Sequence, residues 1–172
     1  MSETSAPAPV AVDILVEDSR WSEEPDLGAL VETAVAAAAA RADAQIAPGS
    51  EVSVVLTDDA RIRVLNREHR GVDKATNVLS FPQDDPDADV YGPLLGDIVM
   101  ARETVAREAL DGGLPFRHHL THMVVHGMLH LVGYDHRDDD EAEEMERLET
   151  AILAALDIPD PYAEPPIPGG GH

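Results

Sequence analysis

The segment His122-Met-Val-Val-His126-Gly-Met-Leu-His130-Leu-Val-Gly133-Tyr-Asp-His136 carries the densest chemistry in the chain. Successive helical residues turn by ~100°, so His126 and His130 lie ~40° apart on one face. That spacing lets two imidazoles reach one ion. Gly133 can take the left-handed conformation that ends a helix and turns the chain back, which would bring His136 to the same ion. Three protein ligands leave a fourth position for water or substrate, as in catalytic zinc sites, whereas structural zinc sites have four. The residues therefore predict one Zn2+ held by His126, His130 and His136, although three imidazoles also suit nickel or copper.

Other readings compete with this one. The spacing H-x3-H-x2-G-x2-H is shared with the metzincin zinc proteases, which place a glutamate base directly after the first histidine. Here that position is Gly127, so a peptidase has lost its base. Eight histidines allow coincidental clustering, and His119 and His122 share the stripe of His126. Both rank below His136 as ligands, and His122 is a candidate to support a ligand from behind. Asp135 could orient an imidazole, but a turn cap is the plainer reading. The acidic run Asp138–Glu149 reads as the solvated face and dipole-favoured start of a final helix rather than as a second metal site.

A second feature is basic. Arg61, Arg63, Arg67, Arg70 and Lys74 stand against only Glu68 and Asp73, in a chain of net charge −22. Arginine's planar fork suits phosphate, and beside a metal it would stabilise charge developing on phosphorus. Arg67 and Arg70 would share a face if the helix persists that far. Arg67, Arg70 and Lys74 are the candidate phosphate-binding residues. A solvated helix face paired with the protein's own acids is the alternative.

The elements that must hold these groups follow from periodicity. Residues 9–17 alternate as a half-buried strand, residues 27–44 form an Ala-rich amphipathic helix, and Glu51–Leu56 is a second strand. Asp58 or Asp59 caps a helix to about His69. Strands are expected at 76–81 and 94–100, flanking an acidic loop rich in turn residues. Helices follow at 101–111, from about Pro115 to Val132, and at about 138–156. Residues 18–26 read as a polar loop. The fold class is α+β: a single mixed sheet of about four strands packed with four to five helices. Residues 1–8 read as a flexible terminus, 9–157 as one metal-dependent hydrolase domain, and 158–172 as a disordered Pro/Gly-rich tail.

Bulk composition narrows the classes. The 172 residues suffice for one domain with a real core, and the apolar fraction of 44% argues against wholesale disorder. No cysteine is present, which removes disulfides, thiolate zinc sites and a cysteine nucleophile. No apolar run approaches the ~20 residues of a membrane span, and the first residues lack the pattern of a signal peptide, so the cytoplasm is expected and no membrane partner is. The charge of −22 argues against broad polyanion binding, because nucleic-acid surfaces usually carry a basic excess.

Two long blocks, His126–His136 (HGMLHLVGYDH) and Leu65–Pro82 (LNREHRGVDKATNVLSFP), resemble the signatures of the YbeY family of bacterial endoribonucleases and rRNA maturation factors. Leu95-Gly96-Asp97-Ile98 and the acidic helix fit in order and spacing, so the resemblance covers about residues 50–156. It implies a metzincin-like α+β core with a zinc helix and with Arg70 as catalytic residue, metal-dependent cleavage of single-stranded RNA, maturation of 16S rRNA at its 3′ end, and ribosome quality control. It also implies the small ribosomal subunit or a ribosomal protein as partner. His126, His130 and His136 fall on the family's metal ligands, Arg70 falls on its functional arginine, and Gly127 ceases to be an anomaly. Position 69 is His where Tyr often stands, and position 75 is Ala where Pro is common. A zinc hydrolase of another substrate and a non-catalytic ribosome-assembly factor with structural zinc are the alternatives.

Overall fold

The computed structural model describes residues 10–135 and 138–161. The flexible terminus expected at residues 1–8, the predicted ligand His136, and the tail from residue 162 onward lie outside the described residues. The strands are β1 (Ala11–Val16), β2 (Glu51–Thr57), β3 (Val78–Pro82) and β4 (Leu94–Ala101). The helices are α1 (Leu27–Arg41), α2 (Asp59–Arg70), α3 (Arg102–Asp111), α4 (Phe116–Leu131) and α5 (Asp139–Ala155), with a short 3-10 helix at Ser19–Glu23.

The strands form one mixed sheet in the order β1-β2-β4-β3. β1 and β4 both run parallel to β2, whereas β3 returns antiparallel to β4 and forms an edge. The α+β class with a four-stranded mixed sheet and five helices agrees with the expectation from periodicity. β4 is buried along most of its length, as the nearly unbroken apolar run LLGDIVMA of an inner strand requires. β1 lies at the opposite edge and keeps only Val12 and Ile14 half-buried, so its alternation is legible.

Pleating divides the core. Val52, Val54, Leu56, Ile98 and Met100 face the large core shared with α1, α4 and α5. On the other face, Leu79, Val99 and Ala101 pack with Ile62 of α2 in a smaller cluster. α4 is central to the larger layer: it meets α1, α3, α5, β3 and β4. Leu120, Val124, Val125, Met128, Leu129 and Leu131 are all fully buried. Burial of each large side chain contributes roughly 1.5–3 kcal/mol, so α4 is fixed by the core rather than by helix propensity.

The region 18–26, expected as a polar loop, instead holds the short 3-10 helix. Asp18 caps it by accepting from the Arg20 amide at 2.9 Å. Trp21 on this turn is fully buried, and its indole N–H donates to the Thr57 carbonyl at 2.8 Å. Beyond α5, Ile158 packs against the core and its N–H donates to the Leu153 carbonyl. No helix of the described residues is long and apolar enough to cross a membrane.

Candidate active site

The C-terminal end of α4 forms one wall of the candidate site. His126 and His130 lie on the same face, and their Nε2 atoms are 3.1 Å apart. Two unprotonated imidazole nitrogens this close repel unless a proton or a cation lies between them. Tetrahedral zinc with Zn–N bonds of about 2.0–2.1 Å holds its nitrogens about 3.3 Å apart, so this pair fits two corners of such a site. Among the described residues no group of three His, Cys, Asp or Glu converges as a metal site. The third predicted ligand, His136, lies outside them.

The helix stops where the sequence predicts. Gly133 has φ +97°, its N–H donates to the His130 carbonyl, and the Tyr134 N–H donates to the Leu129 carbonyl. This paired closure is the Schellman ending that a glycine with positive φ permits. A Cβ on Gly133 would also sit 2.4 Å from the Tyr91 hydroxyl oxygen.

Gly127 has a packing reason. A Cβ there would approach Ile98 Cγ2 to 2.9 Å and Ser80 Oγ to 3.2 Å. α4 thus lies against β3 and β4 at the position where a metzincin carries its glutamate, and a larger side chain has no room without local rearrangement.

The opposite wall comes from the basic segment. α2 persists to Arg70, capped at its start by Asp58 and closed by Gly71. Although α2 packs on the other face of the sheet, Arg70 meets the histidines beside edge strand β3. Arg70, Ser80, His126, His130 and Asp135 all line one open cavity of about 420 Å3. His69 rests its ring on Phe81 with centroids 4.9 Å apart, an aromatic contact that fastens the end of α2 to β3.

The other two basic candidates sit elsewhere. Arg67 is exposed on α2 and is not among the described residues lining the cavity. Lys74 lines a separate shallow cleft with Arg63 and Asp73. Arg63 Nε donates to Asp73 Oδ1 at 2.8 Å. This bond is the main cause holding the Asp73 carboxyl below its ordinary pKa and the Arg63 guanidinium above its own. Part of the segment's positive charge is therefore spent on the protein's own acid.

The rival histidines are engaged away from the ion position. His119 Nε2 lies 2.8 Å from Glu108 Oε1, and the same carboxylate accepts from the Asn77 amide at 3.0 Å. His122 is buried, with Nε2 2.7 Å from Glu149 Oε1. Glu149 Oε2 lies 2.6 Å from His126 Nδ1. Glu149 is 0% exposed, so the acidic run ending there is not wholly a solvated face. The signal was present: Glu149 falls in helical step with Met145 and Ile152, on the apolar stripe of α5.

The fold and cleft define a small α+β protein in which two convergent imidazoles and a guanidinium face one open cavity. A family model described as Endoribonuclease YbeY matches residues 14–157. The chain is 55% identical over 154 residues to Endoribonuclease YbeY of Azorhizobium caulinodans, covering 90% of this chain and 97% of that one. It is likewise 55% identical over 158 residues to the Bradyrhizobium diazoefficiens protein of the same name, covering 90% and 86%. A solution structure of a Thermotoga maritima protein matches with a TM-score of 0.54 at 25% identity, covering 92% of this chain and 98% of that one. The chain belongs to the endoribonuclease YbeY family.

Proposed function

We propose that this protein is a cytoplasmic, zinc-dependent endoribonuclease specific for single-stranded RNA, acting in 16S rRNA 3′-end maturation and ribosome quality control. The single observation that carries the reading is the cavity shared by His126, His130 and Arg70. Membership of a family whose relatives are named endoribonucleases supports RNA as the substrate.

In this reading His126, His130 and His136 hold one zinc ion on a metzincin-like helix. When bound, zinc would supply Lewis acidity toward a phosphate oxygen. Arg70 offers a forked set of N–H donors from the opposite wall, which orient the scissile phosphate and stabilise negative charge as it builds on phosphorus. α4 keeps the imidazoles in place because its remaining faces are locked in the core. Arg67 and Lys74, set outside the cavity, guide the flanking strand by long-range attraction.

The net charge of −22 shapes the substrate. Positive potential concentrated at one cleft in a repulsive surface disfavours loose RNA binding, so productive engagement needs the small ribosomal subunit or a ribosomal protein. The test is cleavage of matched single-stranded and duplex RNAs carrying a 16S 3′ end, with and without small subunits. The reading predicts cuts confined to single strands, slow on naked RNA and faster with subunits. Equal cutting of duplex, or fast indiscriminate digestion by the pure protein at physiological salt, contradicts it. A 2′,3′-cyclic phosphate on the product supports the RNA 2′-OH as nucleophile and contradicts attack by a metal-bound hydroxide.

A further inference from the structure

We infer that Glu149 is a positioning residue that fixes the tautomer of His126 and is itself held by His122. The inference rests on the metal reading above for its consequence, but its geometry stands independently. The Glu149 carboxylate is fully buried, and each oxygen faces one imidazole nitrogen: Oε1 to His122 Nε2 at 2.7 Å, Oε2 to His126 Nδ1 at 2.6 Å. As a carboxylate Glu149 only accepts, and each facing ring nitrogen then carries the proton. His126 is thereby set with its proton on Nδ1.

A neutral imidazole has one lone pair. With Nδ1 protonated, that pair lies on Nε2, the atom 3.1 Å from His130 Nε2. The opposite tautomer would place a proton where the ion must sit. A carboxylate behind a histidine ligand also raises the basicity of the ring and fixes its plane. His122 supplies the second donor that a buried carboxylate needs, and being one turn before His126 it holds Glu149 in register with the site. This accounts for a histidine on the same stripe as the ligands whose Nε2 is directed to a carboxylate.

Glu149→Leu is the discriminating variant because it keeps the approximate size but accepts from neither histidine, whereas a glutamine oxygen could still accept from His126. The prediction is zinc binding about 10–100-fold weaker than wild type, in the range for loss of such an orienting partner, measured by competition with a chromophoric chelator. A long-range 1H–15N spectrum of metal-free wild type should show His126 protonated on Nδ1, which needs no variant to fold and no zinc to bind. A proton on His126 Nε2 there overturns the proposal. So does wild-type zinc affinity in a folded Glu149→Leu protein. If wild type itself binds no zinc, the metal reading falls, while the tautomer spectrum still decides the role of Glu149.

Discussion

The two walls of the cleft are built on opposite plans. α4 presents His126 and His130 from a helix buried on most sides, with Leu129, Leu131 and Met128 fully enclosed beside them. α2 presents Arg70 from its last, exposed turn, attached through a small cluster around Ile62 and the His69–Phe81 contact. The contrast matches the chemistry each wall would perform. Ligands to one ion must be held to fractions of an ångström, whereas a long guanidinium on a mobile stem can follow a phosphate. The same contrast separates what mutation should do: changes in α4 should strike fold and site together, and changes at the end of α2 should strike function alone.

The largest effect should come from the buried wall. Leu129→Ala removes a fully enclosed side chain next to His130 and should cost about 2–5 kcal/mol, read from the urea midpoint. A cost under ~1 kcal/mol would mean that α4 is not the anchor described. Arg70→Ala should leave the urea midpoint and zinc content unchanged but lower kcat for RNA on the order of 10²–10³-fold, the usual loss for one charge-stabilising donor. Retained cleavage would remove Arg70 from the proposed mechanism, and unfolding would erase the contrast between the walls. Gly127→Ala should cost about 1–3 kcal/mol, because its Cβ would lie 2.9 Å from Ile98 Cγ2. Its thermal melting is the check, and a neutral result would show that α4 and β4 can separate freely.

The smallest effect lies far from both walls. Hydrogen bonds from the Arg20 guanidinium, with help from its amide, hold the Asp18 carboxyl at about 2. A lowered folded value means that this carboxylate stabilises the protein above the ordinary carboxylate range near 4, and that the contribution fades as pH falls through about 2. Asp18→Ala should therefore be slightly less stable than wild type at pH 6, with the gap narrowing toward pH 2. A gap that widens on acidification would reverse the assigned sign.

Much of this contrast was legible in the sequence. Periods of two and 3.6 marked the four strands and five helices to within a few residues, and Gly133 marked where α4 must stop. The pairing of His126 with His130 needed only helix geometry. What escaped depended on contacts between distant segments. Trp21 looked like part of a polar loop because its hydrogen-bond partner, Thr57, is 36 residues away. Glu149 was masked by the acids around it, since burial of one carboxylate is decided by the histidines of another helix. Gly127 signalled a missing base, while its close approach to Ile98 belongs to three dimensions. The basic run suggested that Arg67 and Lys74 accompany Arg70, yet helix rotation and the pairing of Arg63 with Asp73 leave only Arg70 in the cavity.

We propose that the imidazole pair on α4 is the metal-binding heart of a ribonuclease. The most direct test compares wild type with His130→Ala, measuring bound zinc and cleavage of single-stranded RNA carrying a 16S 3′ end in the presence of small ribosomal subunits. Wild type should carry about one zinc and cut, and the variant should lose both while remaining folded. Undiminished cleavage by a zinc-free His130→Ala protein, or a zinc-loaded wild type that cuts no RNA with subunits present, would overturn this reading.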